Sequence, residues 1–319
     1  MSGGAAAMQA ASQPGAAISR FVLGCGNFGG VGSAPEFFGQ GLTADQALAL
    51  MDAAWELGIT AFDTADAYGG GRSESAIGAW IRSRGVRPRL TTKTYNPMHA
   101  GADSGLKPER IARQLRASLD RLGVDRADLY LAHDYDPDVP VADTIAAFAA
   151  AAGEGLIGDY GVSNFSAAQL AECLEAGAPQ AVQNCYSLLT RADGRDVLPL
   201  CADRQLAYQA FSPLAGGWLT GKYRPGEPFP AGSRMTQRPG PYQDFLHEKT
   251  FAALARLDAI ARAAGRSMTG LALAWLLADD RVTQIVIGPG RPEHLTPVRE
   301  ALDRPLTEPE RAAIESAVA

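Results

Sequence analysis

The stretch TADQALALMDAAWELGITAFD, Thr43 to Asp63, contains one complete passage from helix to strand and sets the pattern of the rest. Thr43 and Gln46 stand at capping-box spacing, and Ala47, Leu50, Met51 and Ala54 recur on one helical face. Gly58 falls at the C′ position, where a left-handed backbone stops a helix. Thr60 to Asp63 then reads as a buried strand that ends in a carboxylate. Upstream, Phe21 to Cys25 is a second buried strand, followed by a glycine-rich loop with Phe28, Phe37 and Phe38. Downstream, Glu74 to Arg82 reads as a helix that turns Ile77, Trp80 and Ile81 inward, and Arg89 to Lys93 is the next strand.

The cycle continues. Pro108 opens a helix where a missing N–H costs nothing, Ile111, Leu115, Leu119 and Leu122 line one face, and Gly123 ends it. Strands follow at Asp128 to His133, Tyr160 to Ser163, Ala181 to Asn184, Leu206 to Phe211 and Thr283 to Ile287, with helices over Val141 to Ala152 and after a capping box at Ser166 and Gln169. Eight strands separated mostly by helices predict an α/β protein, a single (β/α)8 TIM barrel over residues 19–319 with a flexible tail at 1–18. No Gly-x-Gly-x-x-Gly follows the first strand, which weakens an open dinucleotide-binding sheet. Gly216 to Pro241, after the seventh strand, is too long and too rich in Gly, Pro and Arg for a routine connection and reads as a lid.

Composition narrows the function. With 46% hydrophobic and 20% charged residues, the 319-residue chain has the make-up of a globular protein. Its net charge of −6 provides no basic field for nucleic acid or anionic membranes. No apolar run reaches the roughly 18 residues of a membrane helix, and no secretory h-region precedes Arg20, so a cytoplasmic location is expected. Cys25, Cys173, Cys185 and Cys201 are too scattered for a disulfide framework or a zinc site, and no metal is expected. The sequence leaves the oligomeric state open.

In a barrel of this kind, chemistry sits at the C-terminal ends of the strands. Asp63 ends the second strand, Tyr68 follows in its loop, Lys93 ends the third and His133 the fourth. Five segments carrying or neighbouring these residues resemble the aldo-keto reductases. They are Gly58 to Gly69 (GITAFDTADAYG), Thr91 to Lys93, Leu129 to His133, Gly161 to Phe165, and Phe211 to Tyr223 (FSPLAGGWLTGKY), over a match from about Phe21 to Leu302. The last segment is most similar to the aflatoxin-aldehyde reductase and potassium-channel β-subunit side of that superfamily.

The resemblance implies reduction of aldehydes or ketones by hydride transfer from NADPH, with NADH as a possible substitute. Hydride arrival leaves negative charge on the carbonyl oxygen, so a placed proton donor is needed. Tyr68 takes that role, Lys93 lowers its pKa, Asp63 keeps Lys93 charged and His133 directs the carbonyl. Ser163, Asn164 and Gln183 match positions that hold the nicotinamide carboxamide, and Phe211 matches the ring stacked beneath it. Ser212, Leu214 and Gly216 match the pyrophosphate loop, with Lys222 assisting. Relatives carry several polar side chains at the adenosine end; here Arg291 is the one obvious cation and Val298 replaces the usual Asn, which reduces the expected NADPH preference. Phe28, Tyr95 and Trp218, with Phe37 and Phe38, are expected to line the pocket of a small-molecule carbonyl substrate. Two other functions fit parts of this pattern: a nucleotide-binding regulatory subunit, and a Schiff-base lyase using Lys93.

Overall fold

The computed structural model describes residues 17–318. Eight parallel strands close in sequence order into a barrel, with β8 pairing back onto β1. They are β1 (Phe21–Gly24), β2 (Ala61–Asp63), β3 (Arg89–Thr94), β4 (Ala127–Ala132), β5 (Ile157–Ser163), β6 (Ala181–Cys185), β7 (Ala207–Phe211) and β8 (Gln284–Ile287). The surrounding helices are α1 (Ala44–Leu57), α2 (Arg72–Arg84), α3 (Pro108–Leu122), α4 (Val141–Gly153), α5 (Ala167–Ala176), α6 (Val197–Asp203), α7 (Glu248–Ala263), α8 (Met268–Leu277), α9 (Thr296–Asp303) and α10 (Glu308–Ala317). The predicted (β/α)8 barrel is therefore the fold. Most of the expected N-terminal tail, residues 1–16, lies outside the described residues; Ile18, at its end, packs on the core.

Local chemistry explains where the helices begin and stop. Both halves of the capping box form at Thr43 with Gln46 and at Ser166 with Gln169, each cap contributing about 1 kcal/mol. Gly58 (φ 98°) and Gly123 (φ 67°) close α1 and α3 in the left-handed region. Two differences from the sequence reading bear on the site. β4 stops at Ala132, so His133 stands one residue beyond the strand, and β5 begins at Ile157 because Ile157 and Asp159 are already paired with Ala127 and Leu129 of β4.

Strand alternation aims the functional side chains. Phe62 points outward to Trp80 at 5.2 Å between ring centroids and to Trp55 at 6.5 Å, which turns its neighbour Asp63 into the barrel. Thr92 and Thr94 of β3 likewise face the helices, donating to Glu74 and Asp66, so Lys93 between them faces inward. Inside the barrel, Gln183, Gln209 and Gln284 stand in register on β6, β7 and β8 and form a ladder of amide hydrogen bonds at 2.8 and 2.6 Å.

Candidate active site

Asp63, Tyr68, Lys93 and His133 meet at the C-terminal rim of the barrel. Lys93 is fully buried; its Nζ donates to Asp63 Oδ1 at 2.5 Å and to the Thr64 carbonyl at 2.9 Å. The ammonium lies 5.1 Å from the Tyr68 ring centroid, and Tyr68 Oη is 3.4 Å from His133 Nε2. Burial pulls the Lys93 pKa down, but Asp63 and then Tyr68 outweigh it, so Lys93 titrates above an ordinary lysine and keeps its charge. Burial, then the charges of Lys93 and Arg238, hold His133 well below the usual histidine range, leaving it neutral.

One electrostatic expectation is corrected. Lys93 does pull the Tyr68 pKa down, but burial of the phenol is the larger effect, so Tyr68 titrates above an ordinary tyrosine. The sequence carries the sign of the Lys93 charge but not the desolvation around the hydroxyl.

The cofactor candidates form two groups. Ser163 donates to the Gln183 carbonyl at 2.7 Å, and Asn164, left-handed at φ 61°, donates to the His133 carbonyl at 2.8 Å. Gln183 Nε2 donates both to Gln209 and, at 2.7 Å, to Asp63 Oδ2, so it also serves the buried ion pair. Beyond β7, half-buried Phe211 leads into a loop where Ser212 (φ 54°), Ala215 (φ 47°), Gly216 (φ 64°) and Gly217 (φ 95°) are all left-handed. The turn is closed internally, with Ala215 and Gly217 donating their N–H groups to the Ser212 and Leu214 carbonyls at 2.9 Å. Leu214 is half-buried within it, and exposed Lys222 folds back so closely that a Cβ on Gly217 would meet its Nζ at 2.6 Å. Arg291 sits apart on the loop after β8, exposed, with Glu293 3.6 Å from it.

The proposed pocket needs two corrections. Trp218 is completely buried among Tyr223, Phe229, Phe245 and Phe251, with ring centroids 5.1 to 6.5 Å away, so it packs the segment after β7 together rather than lining a pocket. Phe28 is 1% exposed and belongs to the core. Tyr95, Phe37 and Phe38 remain half-buried at the rim. The lid itself is folded, with helical turns at Ala215–Thr220, Arg234–Gln237 and Gly240–Phe245, and it runs on to His247.

Two lid cations escaped the sequence reading. Arg238 crosses to the β1 loop, donating to the Val31 carbonyl at 3.2 Å with its guanidinium 5.7 Å from the Phe37 centroid. Arg234 is half-buried near Tyr242, Tyr223 and Arg238, and no described carboxylate pairs with it. Their signal was the arginine content of a segment already read as rich in Gly, Pro and Arg, without a role given to either side chain.

A model of the aldo/keto reductase family matches residues 20–319, and the chain belongs to that family. Among relatives, L-glyceraldehyde 3-phosphate reductase of Escherichia coli (strain K12) is 32% identical over 283 residues, covering 83% of this chain and 81% of that protein. A Schizosaccharomyces pombe protein named as a voltage-gated potassium channel subunit beta is 34% identical over 263 residues, covering 76% and 74%. Among solved structures, a glycerol dehydrogenase from Gluconobacter oxydans aligns with a TM-score of 0.79 at 25% identity, covering 94% of this chain and 91% of that one. The protein is an oxidoreductase of this family. Among the described residues, no helix is long and apolar enough to cross a membrane.

Proposed function

We propose that this protein reduces an aldehyde or ketone to the alcohol with NADPH, using Tyr68 as the proton donor. The observation that carries the reading is the buried Lys93–Asp63 pair, 2.5 Å apart, beneath the Tyr68 ring. A buried ammonium and carboxylate are costly to desolvate and are weak evidence for stability alone, so their placement under a rim tyrosine favours a chemical purpose.

The residues present fit a dinucleotide. The guanidinium of Arg234, with which no described carboxylate pairs, would suit a pyrophosphate lying along the turn from Ser212 to Gly217, with Lys222 at its edge. Ser163, Asn164 and the Oε1 of Gln183 would hold the carboxamide, the Nε2 hydrogens of Gln183 being engaged with Asp63 and Gln209. Phe211 offers its ring for stacking. When bound, the reduced nicotinamide supplies the hydride.

The chain's own groups manage the proton. Burial keeps Tyr68 protonated, which is the form a general acid needs. As charge develops on the carbonyl oxygen, Tyr68 gives up its proton, and the Lys93 ammonium stabilises the phenolate left behind. Asp63 holds that ammonium charged. Neutral His133, 3.4 Å from the hydroxyl, donates to or aligns the carbonyl oxygen without adding a competing charge. A Schiff-base lyase needs a neutral amine, and Lys93 is held as an ammonium.

The relative named as a reductase of L-glyceraldehyde 3-phosphate supports an aldehyde substrate. The channel-subunit relative keeps a nucleotide-binding regulatory role as the second reading, and the complete Asp63, Tyr68, Lys93 and His133 set favours turnover over it. A panel of aliphatic, aromatic and phosphorylated aldehydes, followed by loss of NADPH absorbance, separates the two. Turnover of at least one aldehyde is expected; tight NADPH binding with no turnover across the panel supports the regulatory role instead.

A further inference from the structure

The segment between Asp63 and Tyr68 carries a second buried carboxylate that the mechanism above does not use. Asp66 is fully buried, and both of its oxygens accept hydrogen bonds. Oδ1 takes the Ala67 N–H at 2.6 Å, immediately before Tyr68, and Oδ2 takes the Thr94 hydroxyl at 2.7 Å, immediately after Lys93. The Asp66 N–H donates to the Lys93 carbonyl at 3.0 Å. Asp66 therefore joins the turn that bears Tyr68 to the strand that bears Lys93, by backbone and by both side-chain oxygens.

Other elements brace this joint. Arg110 of α3 donates to Thr94 Oγ1 at 2.8 Å and to the carbonyls of Gly105 and Asn96, with its Nη2 4.0 Å from Asp66 Oδ2. Glu74 of α2 accepts from Thr92 and pairs with Arg121 of α3. From β4, the hydroxyl of buried Tyr130 feels the Asp66 charge. Glu74, Arg110 and Tyr130 are the ionisable groups that face Asp66 from these elements.

We propose that Asp66 is a positioning residue for carbonyl reduction, its ionised carboxylate holding the Tyr68 turn in register with Lys93. This deepens the reading of Tyr68 as proton donor and rests on it. The ionised carboxylate accepts at both oxygens with no proton of its own to place; a protonated one accepts more weakly at its hydroxyl oxygen and must find a buried acceptor for its O–H. A buried acceptor pair of this kind is costly to maintain, which marks the network as one kept for geometry.

The carboxyl titrates in a range that makes the claim measurable. Burial raises it to about 7, helped by Glu74 and opposed by Thr94, Arg110 and the Ala67 N–H. The turn should therefore loosen, and kcat fall, as pH drops through about 7. For stability the sign is opposite. The folded chain keeps a proton that the unfolded chain releases near 3.8, so Asp66 opposes folding increasingly as pH rises from there to about 7.

The test compares wild type, Asp66→Asn, Thr94→Val and Tyr68→Phe, using NADPH and 4-nitrobenzaldehyde from about two pH units below to about two above the Asp66 titration. Asp66→Asn mimics the protonated state. It should lose about tenfold to a hundredfold in kcat, flatten the acid limb and leave the NADPH dissociation constant unchanged. Its thermal midpoint should gain on wild type as pH rises. Thr94→Val removes one bond to the charged form, so its acid limb should move to higher pH; it serves as the test if Asp66→Asn fails to fold. An unchanged kcat, or an acid limb that persists in Asp66→Asn and is unmoved in Thr94→Val, overturns the proposal. If Tyr68→Phe stays active, the underlying reading fails instead, so the two failures are distinguishable.

Discussion

Gln183 reaches across the barrel to donate an Nε2 hydrogen to Asp63 Oδ2 at 2.7 Å, on the opposite side of the carboxylate from Lys93. The residue matched to the nicotinamide amide is thus also a ligand of the buried carboxylate. Its second Nε2 hydrogen continues into the Gln209 and Gln284 ladder, which fixes the amide's orientation. On the proposed reading, binding and proton chemistry share one side chain.

Gln183→Leu is therefore expected to weaken NADPH binding and to lower kcat together. A hydrogen bond to a charged group contributes about 1.5–3 kcal/mol. Ser163→Ala, which loses its bond to the Gln183 carbonyl and the one it accepts from Asn164 Nδ2 but none to Asp63, should affect binding alone. Fluorescence titration of NADPH beside steady-state kinetics checks this; an unchanged kcat in Gln183→Leu would sink the shared role.

Coenzyme choice is expected to be modest. Arg291 is exposed and has Glu293 beside it at 3.6 Å, so a 2′-phosphate must compete with that carboxylate. A single guanidinium contributing about 1.5–3 kcal/mol gives a preference of about tenfold to a hundredfold, and Glu293 places it toward the lower end. Arg291→Ala should remove most of the preference, and Glu293→Gln should increase it, each acting on the NADPH constant alone. Comparing kcat/KM for NADPH and NADH in the three proteins decides it.

Opening of the lid is expected to depend on nucleotide. Trp218 secures its base, while Arg238 ties its far end to the β1 loop through one carbonyl and one aromatic face. Limited proteolysis between Gly216 and Pro241 should slow when NADPH is added, and Arg238→Ala should speed it in the absence of nucleotide. Equal cleavage rates with and without NADPH would count against a closing lid.

The barrel was legible because its signals are local: the Thr43 and Ser166 caps, the stops at Gly58 and Gly123, and the short buried strands each declare themselves within a few residues. The helices after Thr190 were harder to read. α8, for example, is apolar on nearly every face and so lacks the one-sided stripe that marks a surface helix. The order of Asp63, Tyr68, Lys93 and His133 on successive strands could be read, since strand ends share a rim. Distances through space could not. Trp218 and Phe28 look like pocket aromatics until packing buries them, and Gln183 meets Asp63 only because β6 faces β2 across the barrel. Asp66 lay inside the quoted motif, unremarked because its partners Thr94 and Arg110 come from other elements.

The most direct measurement of the central claim is single-turnover reduction of an aldehyde by Tyr68→Phe with NADPH already bound. The substitution removes one hydroxyl and leaves the ring against His133 and over Lys93. If Tyr68 delivers the proton, reduction should slow by about a hundredfold to ten-thousandfold, with the NADPH dissociation constant unchanged. A variant that keeps most of the wild-type rate would contradict the account and require another acid at the rim.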